Sequence, residues 1–510
     1  MPTLPRRFRR NVLTTYVTMV VSAAQVLLVT PLLVRGLGPE RYGIWTLVAS
    51  FGLFAALLDL GLASATTRYV AHYEDLGERP QLVRTINVSF WILLGLGTLV
   101  LLAGLLFAPL FPRVFDVPGQ ETAASVLVVL AAAAVALVVV GGTAQGCLAG
   151  LQRYGFLNFT YTSAVIVQAT AFAVVLWLGG QIVALGIVLL SVVLAEQVAR
   201  FLALRHYVPE VTLSPRSVER GSAWEMLRVS AWLSSTQVAT AVRYRMDTIV
   251  VGFVAGVRAA GVYAVGQFLF IAVDRFIRPS LTGFFPFSAQ LAGRGDAESL
   301  RNAMVLGTRI ALAVAGPLCL AAILLAGPFV HAWVGPGYGE ARLVVVYLVS
   351  ALLLATVSRT GLLMLQGSGR VRAPATIVWA EAALNFGLSI ALGLLLGLTG
   401  VALATLIATV VVSTAIGIPY LCRIFGVPTG AFVIDIARAH VPAVAVALLT
   451  GWLLTPDEGA GLLSVLAAGF AIAGAYLLTL SVTGLSQDQR RRLWAFLRRV
   501  ESEAAGEHDG

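Results

Sequence analysis

INVSFWILLGLGTLVLLAGLLFA, residues 86–108, runs for 23 residues without one ionisable side chain. A helix rising about 1.5 Å per residue crosses about 30 Å of hydrocarbon in about 20 residues. It also satisfies its own backbone hydrogen bonds there, so the stretch is expected to span a membrane. Arg79 and Arg84 stand before it and Arg113 and Asp116 after it, where a bilayer's headgroups would begin.

Similar stretches recur along all 510 residues, of which 58% are hydrophobic and 12% charged, against about 25% charged in an ordinary soluble domain. Fourteen spans are expected: 12–34, 44–66, 86–108, 122–145, 157–178, 182–204, 230–254, 261–283, 306–329, 343–366, 374–396, 399–422, 432–454 and 460–483. The expected fold is all-α and polytopic. Arg6, Arg7, Arg9 and Arg10 precede the first span and place the N-terminus in the cytoplasm, and an even number of spans returns the C-terminus there. Only Arg35, Arg41, Arg113, Arg258 and Arg342 then fall in external segments. The first span is too long for a cleaved signal core and is expected to be retained. Beyond the last span, Leu493, Trp494, Leu497 and Val500 share one helical face, which suits either an interfacial helix or a solvated basic tail.

The net charge of +10 does not point to nucleic acid, because the basic residues are dispersed between apolar spans rather than gathered on one soluble face. All 35 basic residues are arginine. Without lysine there is neither a Walker-type phosphate loop nor a Schiff-base nucleophile. Cys147, Cys319 and Cys422 lie far apart in apolar spans and read as small buried hydrophobes. No zinc or haem motif can be assembled, and no cofactor is expected beyond Na+ or H+ coupling.

Short matches recur at one offset. Gly43-Ile44-Trp45 matches Gly261-Val262-Tyr263, and Leu106-Phe107-Ala108-Pro109 matches Leu325-Ala326-Gly327-Pro328. Gly150-Leu151-Gln152-Arg153 matches Gly367-Ser368-Gly369-Arg370, and Val183-Ala184-Leu185 matches Val401-Ala402-Leu403. The four offsets lie between 217 and 219 residues. Two parallel copies of a six-helix unit are therefore expected around a central cavity. The expected divisions are an N-lobe at 1–204, a linker at 205–229, a C-lobe at 230–422, two accessory helices at 423–485 and a basic tail at 486–510.

The stretch Gly36-Leu37-Gly38-Pro39-Glu40-Arg41-Tyr42-Gly43 resembles the opening motif of polysaccharide-biosynthesis flippases in the multidrug/oligosaccharidyl-lipid/polysaccharide exporter superfamily. Leu58-Asp59-Leu60-Gly61-Leu62 with Thr67-Arg68-Tyr69, Gly150-Leu151-Gln152-Arg153-Tyr154-Gly155, and Asp247 followed by Gly261-Val262-Tyr263 agree with it. The resemblance implies alternating access by two six-helix lobes in a bacterial inner membrane. The expected partners are a polyprenyl-pyrophosphate-linked glycan, the lipid bilayer and glycan polymerase or assembly proteins.

Ionisable groups inside a span cost at least about 2.5 kcal/mol each, so each needs a partner or an aqueous cavity. Arg243, Arg245 and Asp247 lie on the seventh span, and Asp274, Arg275 and Arg278 on the eighth. Arg243 with Asp247 and Asp274 with Arg278 are spaced to pair on one helix face. Arg245 and Arg275 then remain in surplus. A lumen lined by Arg245 and Arg275, helped by Arg243, Arg278 and Arg359, suits a pyrophosphate, which guanidinium grips through paired hydrogen bonds. Arg309, Arg359, Asp59 and Glu196 read as single intramembrane charges.

Similarity to peptidoglycan-precursor flippases implies a cation site at Asp247, Glu381, Asn385 and Thr405. A plain ion pair between Glu381 and an arginine is the alternative. Pro31, Pro279, Pro317, Pro374, Pro419 and Pro442 are the expected kinks. Two rival functions stay open: a cation-coupled multidrug exporter, which would want an acidic lumen, and a polyprenyl-dependent membrane glycosyltransferase or polymerase, which would want paired acids and a large external loop.

Overall fold

The computed structural model of the chain describes the backbone of residues 6–56, 61–214, 220–370 and 372–484. Side chains are described there except at 6–13, 15–17, 19–20, 23, 53–56, 220–245 and 282. Asp59 and the amphipathic segment at 490–500 lie outside the described residues, as do the side chains of Arg243 and Arg245.

Every regular element among the described residues is helical. In order they are α1 Arg6–Ala56, α2 Leu62–Asp75, α3 Arg79–Phe107, α4 Phe111–Phe115, α5 Glu121–Gly150, α6 Tyr154–Trp177 and α7 Ile182–Tyr207. There follow α8 Arg220–Thr282, α9 Phe284–Gly293, α10 Ala297–Leu324, α11 Ala326–Val334, α12 Ala341–Gly367 and α13 Arg372–Ala408. A π-helical segment, Thr409–Gly417, leads into α14 Ile418–Phe425, α15 Thr429–Leu454 and α16 Leu462–Thr483. Ten helical stretches of the described residues are long and apolar enough to cross a membrane, and two of these, Met246–Gly293 and Arg372–Phe425, are long enough for two crossings each. The protein is an all-α polytopic membrane protein.

The sharp breaks fall at glycines. α1 breaks at Gly38 (φ 76°, ψ 170°), α8 at Gly256 (φ 86°, ψ 172°) and α13 at Gly397. These angles are open to glycine and strained for other residues. Pro317 and Pro442 lie inside α10 and α15, which continue through them.

The internal repeat is written in the backbone. Positive φ occurs at Gly38 and Gly256, Gly77 and Gly295, Asp116 and Gly335, Gln152 and Gly369, and Gly179 and Gly397. The second of each pair follows the first by 217 to 219 residues, the offset of the sequence matches.

The chain divides into two compact units, Met1–Ala264 with Phe386–Val401, and Val265–Asn385 with Ala402–Gly510. In the first, Val70, Leu82, Ile86, Ala144, Cys147 and Leu204 form one apolar cluster, and Val208 and Val211 beyond α7 fold onto it. The Ser214 N–H closes that segment by donating to Asn87 Oδ1 at 3.1 Å. In the same unit, a Cβ on Gly43 would lie 1.9 Å from the Val257 carbonyl oxygen, and one on Gly261 3.0 Å from that of Pro39. Val257 and Gly261 are the repeat equivalents of Pro39 and Gly43, so the two copies meet through matching turns. In the second unit, α15 and α16 bury Ala443, Ala447, Val465, Ile472 and Tyr476 against Leu320 and Leu325. Gly316 leaves room for the Tyr476 hydroxyl.

Candidate functional site

In the second unit, α8 and α12 bring three of the singled-out charges together. Asp274 is buried, and Arg278, one turn along α8, donates Nε to its Oδ2 at 2.6 Å. Arg359 of α12 donates Nη1 to its Oδ1 at 2.5 Å. Arg359 is thus not a single charge but a bridge between helices. Two guanidinium groups share one carboxylate. Arg275 is exposed, stands next to Asp274 on α8, and forms no ion pair among the described residues. Arg278 and Arg275 both keep donors free to reach a ligand.

The residues expected to hold a coupling cation fall into two groups. In the first unit, Asp247 is buried; the Tyr263 hydroxyl donates to its Oδ2 at 2.9 Å and the Ser389 hydroxyl to its Oδ1 at 3.4 Å. In the second unit, Glu381, Asn385 and Thr405 are buried within one polar cluster. The Thr409 hydroxyl donates to Glu381 Oε1 at 2.8 Å and the Ser413 hydroxyl to Oε2 at 2.6 Å. One turn away, the Thr405 hydroxyl donates to Asn385 Oδ1 at 3.1 Å.

Thr409 and Ser413 belong to the π-helical segment, where i→i+5 bonding widens the turn and brings residues four apart nearly into line. Pro419, just beyond, supplies no N–H to the ladder, which favours the wider turn ahead of it. The result is a carboxylate and an amide ringed by hydroxyl oxygens, the ligand chemistry of a hard cation. The described residues contain no cluster of three or more His, Cys, Asp or Glu able to hold a metal ion.

Two more of the expected single charges have partners. Arg309 pairs with Asp435 of α15, which lies far along the chain and gave no local signal. Glu196 pairs with Arg200, one turn further along α7; Arg200 is buried and Glu196 half-buried. Arg200 also donates Nη1 to Gln145 Oε1 and Nε to Thr160 Oγ1, each at 3.4 Å. Arg200 was missed although the i to i+4 test applied to α8 would have found it.

The profile of the polysaccharide biosynthesis protein family matches residues 8–292, more than half of the chain. The chain is 24% identical over 425 residues to the uncharacterized membrane protein EpsK of Bacillus subtilis (strain 168), covering 78% of this chain and 79% of that protein. Among solved structures it resembles lipid II flippase MurJ in an inward closed conformation, with a TM-score of 0.70, 15% identity, and coverage of 92% of this chain and 98% of that one. It also resembles an inward-facing multidrug resistance MATE family transporter of the MOP superfamily, with a TM-score of 0.69, 17% identity, and coverage of 79% and 94%. These two structural likenesses establish the fold.

Proposed function

Because this chain belongs to the polysaccharide biosynthesis protein family, we propose that it is a flippase that moves a polyprenyl-pyrophosphate-linked glycan from the cytoplasmic to the outer leaflet by alternating access. The observation that carries the reading is the over-compensated acid in the second unit: Asp274 with Arg278 and Arg359, and Arg275 beside it. A site for a cationic drug would leave an acid unmet. Here Arg275 has no acid among the described residues and Arg278 keeps donors free, which suits a pyrophosphate crossing low-dielectric surroundings. Arg243 and Arg245, whose side chains lie outside the described residues, are proposed on sequence grounds alone as further pyrophosphate contacts. The two repeated six-helix units act as the N-lobe and C-lobe, joined by the segment at 205–229, in a bacterial inner membrane with both termini in the cytoplasm.

Coupling to Na+ or H+ is assigned to Glu381, Asn385 and Thr405, supported by Thr409 and Ser413, with Asp247 as a second buried acid. An oxygen-only cluster around a buried carboxylate can exchange a bound cation for a proton without reorganising its hydroxyl donors.

Thermal unfolding of the purified protein with and without undecaprenyl pyrophosphate tests the reading. Pyrophosphate-bearing lipid should raise the melting temperature, as any ligand of the native state does. Replacing Arg275 and Arg278 by alanine should weaken that effect by at least about tenfold in half-saturating concentration, each charge-assisted hydrogen bond being worth about 1.5–3 kcal/mol. Equal stabilisation by uncharged undecaprenol would refute a pyrophosphate site.

A further inference from the structure

Within the first unit, α2, α5, α6 and α7 line a cavity of about 440 Å³ whose walls include neither Asp274 nor its arginines. We propose that this cavity is a second binding site, one that takes an uncharged polyhydroxylated ring, a sugar of the glycan headgroup. The proposal rests on the flippase reading and adds to it a place where the glycan, rather than the pyrophosphate, is recognised.

The size falls in the range of about 300–1,000 Å³ used by small-molecule sites. Its charge is balanced, because Glu196 and Arg200 form the one ion pair in its lining and cancel each other. A phosphate or a cationic amphiphile gains little from such a pair, whereas a neutral polar ligand does not have to compete with it. The remaining polar lining both donates and accepts. Gln145 and Tyr161 are exposed to the cavity, and Asn158 and Gln197 complete its walls. A ring bearing hydroxyls on every side presents the complementary mixture of donors and acceptors. The ring of Tyr161, joined by that of Tyr154, supplies the flat apolar face that the C–H side of a sugar covers.

The cavity is also built rather than incidental. Arg200 is fixed by Glu196, Gln145 and Thr160. The Asn158 amide donates to Thr14 Oγ1 at 3.0 Å, and Thr162, one turn further along α6, hydrogen bonds Thr18 at 2.8 Å, tying α6 to α1. Gln197 is seated against Gly141, where any Cβ would fall 1.9 Å from its Oε1, so only glycine leaves that amide its place. The lining lies at the starts of α2 and α6, towards the end of α5 and in the latter half of α7. In the proposed topology that is the cytoplasmic end, where a glycan lipid is loaded.

Saturation-transfer NMR on the full-length protein in nanodiscs, with glucose, galactose, rhamnose and N-acetylglucosamine each at millimolar concentration, tests the site. At least one of these sugars should receive saturation from the wild type. Gln145→Ala should weaken its binding about tenfold, the loss expected for one or two hydrogen bonds. Tyr161→Phe, which keeps the ring and perturbs folding least, should weaken it several-fold.

No signal above empty nanodiscs, or a signal that survives both cavity variants, overturns the proposal. The melting shift with undecaprenyl pyrophosphate reports on the flippase reading separately. Sugar binding lost with that shift intact removes the second site alone. The shift lost with sugar binding intact removes the flippase reading alone.

Discussion

Removing Arg359 separates its structural role from any role in transport. Arg359→Met leaves Asp274, whose side chain is 7% exposed, with Arg278 alone, and the Arg278 side chain is 58% exposed. Stripping one partner from a buried pair costs about 3–5 kcal/mol. Because Arg278 remains 2.6 Å from Oδ2, the lower end applies, about 3 kcal/mol. Asp274→Leu should cost a similar amount, since it leaves Arg359 without its acid. Arg359→Met with Asp274→Leu replaces the pair by apolar side chains and should return to within about 1 kcal/mol of wild type. The assay is reversible unfolding of all four proteins in one detergent, read as a double-mutant cycle. Additive losses, with the double variant about 6 kcal/mol less stable, would refute the idea that the pair compensates a buried charge. A double variant that is stable yet flips at least about tenfold more slowly would identify Arg359 as a ligand contact as well as a bridge.

Glu381→Gln should keep the hydroxyl contacts and abolish stimulation of transport by a Na+ or H+ gradient, measured as the ratio of flipping with and without the gradient; an unchanged ratio would remove Glu381 from coupling. Gly43→Ala should lower the melting temperature by the equivalent of about 1–3 kcal/mol, because its Cβ would press on the Val257 carbonyl, and Gly261→Ala should cost less, its nearest contact being 3.0 Å. Asp296 caps α10 outside the membrane, where hydrogen bonds from Ser299, side chain first and backbone N–H second, hold its carboxyl below the usual range. A lowered folded-state pKa gives stability that is present above the unfolded pKa and lost as pH falls through the folded one, so Asp296→Ala should melt lower than wild type at pH 7 and converge with it in strong acid.

Much of this fold was legible because lipid leaves the chain so few options. A run such as 86–108 can only be a span, and the spacing of Asp274 and Arg278 announced their contact. The repeat showed as four weak matches, and its strongest signature, paired positive φ at positions such as Gly38 and Gly256, needed the backbone to be seen. Arg309 and Asp435 are 126 residues apart, and nothing local links them. The π-helical turn at 409–417 was equally hidden, because its apolar run carries no period that distinguishes it from an α-helix. It turns Thr409 and Ser413 onto Glu381, two hydroxyl partners that sequence reasoning did not anticipate. The polar cavity around Arg200 was obscured by reading Glu196 as a lone acid.

The most direct test is transbilayer movement of a fluorescent undecaprenyl-pyrophosphate oligosaccharide in proteoliposomes, with external quenching to count the labelled headgroups in each leaflet. Wild type should equilibrate the label between leaflets, and Arg275→Ala with Arg278→Ala should slow this at least about tenfold at equal protein content. Wild-type vesicles that move the label no faster than protein-free ones would contradict it.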